Sequence, residues 1–283
     1  MKRKMRNILK FTTLSMVLLG CGTEDNPELA TKTLVYNHAY QENYQSDTIE
    51  DILLNAKDAY VLIDPFNEDS YRYIGQIKEG NNQVAGYISV GTGESWREDF
   101  SELKPYLSDR VWSNWEGEYF VDDTNSGILE VMKKRIDKME EWGVDWIEFD
   151  NMDWASEENI KEYTLNITKE ESMAYVNSLC DYTHAKGMKY MAKSVVDGFE
   201  QFDGVLYESA SDNKYWWREE GMKSFLNRKE LVIINHYNET DCDKVYDEYQ
   251  TYYKSENISF ICEDIGLKKY KHYTPTRKNY IKA

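Results

Sequence analysis

Short apolar runs recur along the chain, each parted from the next by a more polar or amphipathic stretch, and this rhythm constrains the fold more than any other feature. Eight such runs lie at 59–64, 84–90, 119–122, 144–150, 188–194, 205–210, 231–237 and 258–264. Most are rich in Val, Ile, Tyr or Phe, which pack well on a pleated, half-buried surface, so each is read as a strand. Between them the spacing turns helical. Ile128, Met132, Ile136 and Met139 recur every three or four residues, and Gly143 follows as a stop. Thr168-Lys169-Glu170-Glu171 has the form of a capping box. It opens a helix with Met173, Val176, Leu179 and Cys180 on one face and Gly187 at its close. Ile49, Ile52, Leu53 and Ala56 mark a shorter helix before the first strand. Such alternation predicts parallel βαβ units, and eight strands predict an α/β fold, a single (β/α)8 barrel of the TIM type over 34–283. An open doubly wound sheet is the competitor, but no Gly-rich phosphate fingerprint follows any strand. The stretch 156–166 is read as an extended loop over the site.

Residues 1–20 read as a secretory signal. Lys2, Arg3, Lys4, Arg6 and Lys10 precede or enter a mostly apolar run at 11–20, too short and wrongly flanked for a spanning helix. Leu18-Leu19-Gly20-Cys21 resembles a bacterial lipobox, which implies cleavage before Cys21, a diacylglycerol on its sulfur, and an extracytoplasmic protein tethered to a bacterial membrane through 21–33. An ordinary signal peptide with a chance cysteine is the plainer alternative. Loss of the leader removes five positive charges and no negative one, taking the formal charge from −17 to −22. That surplus of acid opposes nucleic-acid binding, which draws on clustered Lys and Arg. It suits a cationic partner, or serves solubility alone. Cys180, Cys242 and Cys262 match no zinc or redox spacing and are assigned no chemistry.

In an α/β barrel the reactive groups sit where strands end. The expected ends here are acidic: Asp64, Asp122 with Asp123, Asp150, Glu208 and Asp264. Glycoside hydrolysis needs two carboxyls facing one bond, and Asp150 and Glu208 could converge across the mouth. A lone strand-end acid is often a helix N-cap, the plainer reading of Asp122 or Asp123. Acids alone leave a glycosidase level with a metal enzyme. Tryptophans tilt the balance toward sugar, since flat rings stack on sugar C–H faces; Trp115, Trp154, Trp216 and Trp217 lie in connections and are the candidates. Trp142 and Trp146 read as core. The four histidines, His38, His184, His236 and His272, form no zinc-binding pair, no EF-hand spacing occurs, and no Gly-x-Ser-x-Gly elbow is present. Neither a metal nor another cofactor is expected.

At these positions the chain resembles glycoside hydrolase family 114, the endo-α-1,4-polygalactosaminidase-like barrels. The resemblance rests on Gly86-Tyr87-Ile88-Ser89-Val90-Gly91, Glu94-Ser95-Trp96-Arg97, Trp115-Glu116-Gly117-Glu118 and Gly143-Val144-Asp145-Trp146-Ile147-Glu148-Phe149-Asp150-Asn151. It implies Asp150 as nucleophile and Glu208 as acid/base of a retaining hydrolase, with carboxyls ~5–5.5 Å apart. It also implies a sugar site lined by Asp64, Tyr87, Glu118, Asn151, Lys193 and Tyr237. The chain departs from the family pattern at Lys193-Ser194, Glu208-Ser209-Ala210 and Glu116. The implied substrate is a partly deacetylated galactosamine polymer, whose positive charge the acidic chain would attract.

Two rivals stand beside this reading. Glu148 and Asp150, at i and i+2, share a strand face and could serve substrate-assisted catalysis; alternatively Glu148 is a buried carboxylate held by Lys193. A glycan-binding surface lipoprotein without turnover is the rival from another class, and a glycosidase of the same barrel acting on another polysaccharide, or on a glycan of a protein, is a variant of the reading itself.

Overall fold

A computed structural model of the chain describes residues 34–39, 48–111, 115–194, 201–209, 225–228, 230–237, 240–252, 258–263 and 270–273. The expectations for the leader, Cys21 and its tether, Asp264, Trp216 and Trp217 fall outside them. In order the elements are β1 (Leu34–His38), α1 (Ile49–Asn55), β2 (Ala59–Ile63), α2 (Ile74–Glu79), β3 (Gln83–Ser89), β4 (Thr92–Glu94), α3 (Phe100–Leu103), β5 (Leu107–Val111), β6 (Glu118–Val121), α4 (Ser126–Trp142), β7 (Trp146–Asp150), α5 (Glu157–Tyr163), α6 (Lys169–Ala185), β8 (Lys189–Lys193), β9 (Gly204–Ser209), β10 (Leu231–Tyr237), α7 (Cys242–Tyr252), β11 (Ile258–Glu263) and β12 (Tyr270–His272).

The main sheet runs β1-β2-β3-β7-β8-β9-β10-β11-β12. Its first eight strands are parallel neighbours, and β12 returns antiparallel to β11. The ends of the sheet meet: Asn37 Nδ2 on β1 donates to Glu263 Oε1 on β11 at 2.7 Å, and His272 on β12 lies 2.6 Å from the Val35 carbonyl. The expected (β/α)8 barrel is the fold.

Side chains alternate along a strand, so every second residue points inward. At the N-terminal half of the strands the inner face is apolar, with Val35, Tyr60, Leu62, Ala85, Trp146, Met191, Leu206, Ile233 and Ile261 in one buried cluster. Two residues on, the same face turns polar: Asn37, Asp64, Tyr87, Glu148, Lys193, Glu208, Asn235 and Glu263. The bottom of the barrel is a packed plug, and its C-terminal mouth is charged. Outside, Val61, Ile63, Ile88, Ile147 and Phe149 pack with Ile128, Ile136, Met139, Val176 and Leu179 of the helices. Each such burial is worth about 1.5–3 kcal/mol.

Helix α4 ends at Gly143, whose φ of 81° is the left-handed conformation that favours glycine. Thr168 and Glu171 form the expected capping box at α6. Four expectations are corrected. The run 119–122 becomes β6 of a small antiparallel sheet, β4-β6-β5, and not a barrel strand. The remaining barrel strand is β1, whose polar Asn37 meets Glu263 at the closure of the sheet, so no long apolar run marks it. The stretch 156–166 holds α5, with Ser156 accepting from Asn159 N as its cap. Cys242 and Cys262, assigned no chemistry, form a disulfide with Cα atoms 6.1 Å apart.

Candidate active site

Four strand ends bring the candidate carboxylates together. Asp150 closes β7, Lys193 closes β8, Tyr237 closes β10, and Glu208 is the penultimate residue of β9. Lys193 Nζ lies 3.1 Å from Asp150 Oδ2, 3.2 Å from Glu208 Oε1 and 3.7 Å from Glu148 Oε1. Asp150 Oδ2 and Glu208 Oε1 are therefore separated by no more than the sum of 3.1 and 3.2 Å. Burial would push the Lys193 ammonium down, but Asp150, Glu208 and Glu148 outweigh it and hold the pKa above its ordinary value. The Tyr237 hydroxyl donates to Glu208 Oε1 at 2.7 Å, and Asn151 N donates to Asp150 Oδ1 at 2.7 Å. Glu148 shares the inner face with Asp150 but is wholly buried beneath it, so it cannot meet a substrate. It is the carboxylate held under Lys193.

The small sheet supplies a second wall. Glu118 Oε2 accepts from Thr92 Oγ1 at 2.7 Å and from Asn151 Nδ2 at 3.3 Å, and Asn151 Nδ2 also reaches Ser89 Oγ at 2.9 Å. Burial, joined by the nearby charges of Glu94 and Asp150, raises the Glu118 carboxyl from 4.5 to about 7. Asn151 takes a left-handed backbone, φ 59°, directly after Asp150. Gly91 allows this, because a Cβ there would lie 2.1 Å from the Asn151 carbonyl oxygen.

The third wall is an ion network. Arg97 donates through Nε and Nη2 to both oxygens of Glu94, at 2.8 and 2.7 Å, and lies 3.0 and 2.7 Å from the two oxygens of Asp64. Behind it, Arg135 holds Asp99 through two bonds of 2.7 Å. Burial raises the Asp64 carboxyl, partly opposed by Arg97. Tyr87 lies between these groups, its ring centre 5.9 Å from the Arg97 guanidinium and 6.0 Å from Lys193 Nζ.

Thus Asp150, Glu208, Lys193, Tyr237, Tyr87, Asn151, Glu118 and Asp64 gather at one mouth. Trp115 stands half exposed in the turn before β6, where its carbonyl accepts from Glu118 N at 3.2 Å. Trp154 does not join the site: it is buried, donates Nε1–H to the Val121 carbonyl at 3.2 Å and packs edge-on against Tyr175. Its place in a connection misled, since that connection folds inward as a short 3-10 turn, Met152–Ala155. Asp122 and Asp123 do not cap α4; Asn125 does, accepting from Gly127 N. Sequence reasoning missed Arg97, Glu94, Ser89 and Thr92 as members of the site. The i,i+3 pairing of Glu94 with Arg97 was the available signal. Trp96, also half exposed, lies beside Gly117 of the Trp115 turn, where a Cβ would stand 3.2 Å from its ring.

Known proteins share this architecture. The Aspergillus fumigatus Ega3 structure, solved in complex with galactosamine, superposes with a TM-score of 0.67 at 19% identity, covering 87% of this chain and 96% of that one. The glycoside hydrolase domain of PelA from Pseudomonas aeruginosa gives 0.58 at 13% identity, covering 84% and 96%. Thermus thermophilus α-galactosidase TtGalA gives 0.53 at 11% identity, over 81% of this chain and 57% of that one. No curated protein sequence matches the chain. The family model of glycoside-hydrolase family GH114 matches residues 30–279, most of the chain, and with the barrel and its carboxylate mouth in place the chain belongs to that family.

Proposed function

We propose that the chain is a retaining glycoside hydrolase that cuts within α-1,4-linked galactosamine and N-acetylgalactosamine polysaccharides. The observation that carries this reading is the convergence of Asp150 and Glu208 on Lys193 at the barrel mouth. One ammonium reaching both carboxyls favours the shorter spacing of a retaining pair, ~5–5.5 Å, over the ~6.5–9.5 Å of an inverting one. Asp150 attacks the anomeric carbon while Glu208 gives its proton to the departing glycosidic oxygen, breaking the bond and leaving a glycosyl ester on Asp150. Water then attacks the same carbon, Glu208 takes its proton, and the ester bond to Asp150 breaks. Among the described residues Tyr237 and Lys193 both meet Glu208 at Oε1, so Oε2 is the oxygen suited to carry the proton. Lys193 keeps Asp150 paired until the sugar arrives.

Further features support an amino-sugar polymer at the cell surface. The Ega3 structure was solved with galactosamine, and the net charge of −17 favours a cationic polysaccharide over an anionic one. Trp96 and Trp115 supply exposed rings beside the mouth. We read Cys21 as lipidated after cleavage of 1–20, and the Cys242–Cys262 disulfide suits the oxidising side of a membrane.

Reducing-end release from partly deacetylated α-1,4-galactosaminan by a soluble form starting at Gly22 tests the reading. Asp150→Asn and Glu208→Gln are expected to abolish release with the fold intact, and the first product seen by NMR is expected to be the α anomer. Binding without release by the unmodified chain would replace the hydrolase with a lectin-like protein. A β anomer would replace retention with inversion.

A further inference from the structure

Directly behind Glu208, the outer face of the barrel carries a second set of reactive side chains that the reaction leaves unused. The register of β9, β10 and β11 sets Ser209, His236 and Cys262 side by side, all three buried. Their chain neighbours Glu208, Tyr237 and Glu263 point the other way, into the mouth. Ser209 Oγ lies 2.9 Å from His236 Nδ1, and His236 Nε2 lies 2.7 Å from Asp241 Oδ1. The next residue, Cys242, is bonded to Cys262. The Asp241 carbonyl accepts from Val245 N at 3.0 Å, so Asp241 opens α7. Two consecutive residues at the head of one helix are therefore tied to three adjacent strands.

The order Ser-His-Asp is that of a hydrolytic triad, but Ser209 has no exposed surface and cannot meet an ester or amide. A role in holding geometry fits better. Among the described residues Ser209↔His236 is the last rung of the β9–β10 ladder, and Glu208 is the residue directly before it. We infer that the Ser209–His236–Asp241 relay and the Cys242–Cys262 bond together form a staple that positions Glu208 as the proton donor. Holding Ser209 to His236 on one side of the sheet holds Glu208 to Tyr237 on the other, where small displacements of a catalytic group cost rate steeply. These are positioning residues, and the inference rests on the reading of Glu208 as acid/base.

The test exploits leaving groups. A 2,4-dinitrophenolate departs without a proton, whereas a phenol or a sugar hydroxyl needs one. Values of kcat/KM are measured on phenyl and 2,4-dinitrophenyl α-glycosides of a galactosamine oligomer for Asp241→Asn, for His236→Phe and His236→Gln, and for Cys242→Ser combined with Cys262→Ser. Asp241→Asn keeps shape at a partly exposed site, so it guards against simple misfolding. The staple variants are expected to lose roughly 10- to 100-fold on the phenyl glycoside and under about threefold on the dinitrophenyl one. His236→Gln is expected to keep more of the phenyl activity than His236→Phe. Equal losses on both substrates, or no loss on either, overturn the inference. Glu208→Gln in the same panel separates the two failures. If Glu208→Gln discriminates between leaving groups and the staple variants do not, the staple alone is wrong. If Glu208→Gln does not discriminate, its assignment as acid fails and the inference falls with it.

Discussion

The Tyr237 hydroxyl bridges two strands, accepting from Asn235 Nδ2 at 3.0 Å and donating to Glu208 Oε1 at 2.7 Å. Burial, with Glu208 and Glu263 nearby, raises the Tyr237 pKa well above its ordinary value, so the group stays a donor throughout the working pH range. A hydrogen bond contributes about 0.5–1.5 kcal/mol to a neutral acceptor and about 1.5–3 kcal/mol to a charged one, the form Glu208 takes once it has given up its proton. Tyr237→Phe keeps the ring and removes the donor, so kcat/KM is expected to fall about 10- to 100-fold with the melting temperature little changed. Kinetics beside a thermal melt check this, and wild-type rates in the variant would remove Tyr237 from the site.

Lys193 is nearly buried among three carboxylates. Lys193→Met leaves Glu148 sealed in the barrel without this ammonium. Removing one partner of a buried ion pair costs about 3–5 kcal/mol. Urea unfolding is expected to show a loss of that size, together with loss of turnover. A variant as stable as the parent would mean that Glu148 is neutral without Lys193.

The raised Glu118 carboxyl gives stability a signed pH dependence. The folded protein keeps this proton up to about pH 7, while the unfolded chain gives it up near 4.5. The folded state therefore binds more protons between those values, and stability is lost as pH rises through that window, by on the order of 3 kcal/mol. Glu118→Gln, which stays neutral, is expected to remove this component. Denaturant midpoints of both proteins from pH 4 to 8 give the measurement, and parallel curves would sink the assignment.

Gly91 faces the Asn151 carbonyl so closely that a methyl group must displace it. Because Asn151 N also holds Asp150, Gly91→Ala is expected to cost about 1–3 kcal/mol of stability and to lower kcat more than it raises KM. Chemical denaturation and steady-state kinetics read the two effects separately. An unchanged kcat would show that Asp150 is positioned independently of that peptide.

What the sequence determined by itself is local or periodic. Alternation along 84–90 and 144–150, the stripe from Ile128 to Met139 with Gly143 behind it, and the capping box at Thr168 each state a short-range backbone preference, and each element formed. The strand-end carboxylates were legible for the same reason: a barrel places strand ends at one mouth, so Asp150 and Glu208 were found from position, and a family resemblance supplied roles that position alone could not.

Tertiary structure decided the rest, because those features depend on residues distant in sequence. β1 was hidden, since Asn37 looks like loop until it meets Glu263, 226 residues away, across the closure of the sheet. The run 119–122 has strand composition whether it joins a parallel barrel or an antiparallel flap, and only pairing with β4 and β5 separates the two. Trp154 reads as a free aromatic until the turn after β7 folds it beneath Val121. The grip of Lys193 on three carboxylates, the span of Arg97 from Glu94 to Asp64, and the disulfide behind Glu208 are meetings of strands and loops, and composition records none of them. Periodicity specifies which face of an element is apolar; closure of the barrel specifies which polar groups must then face one another.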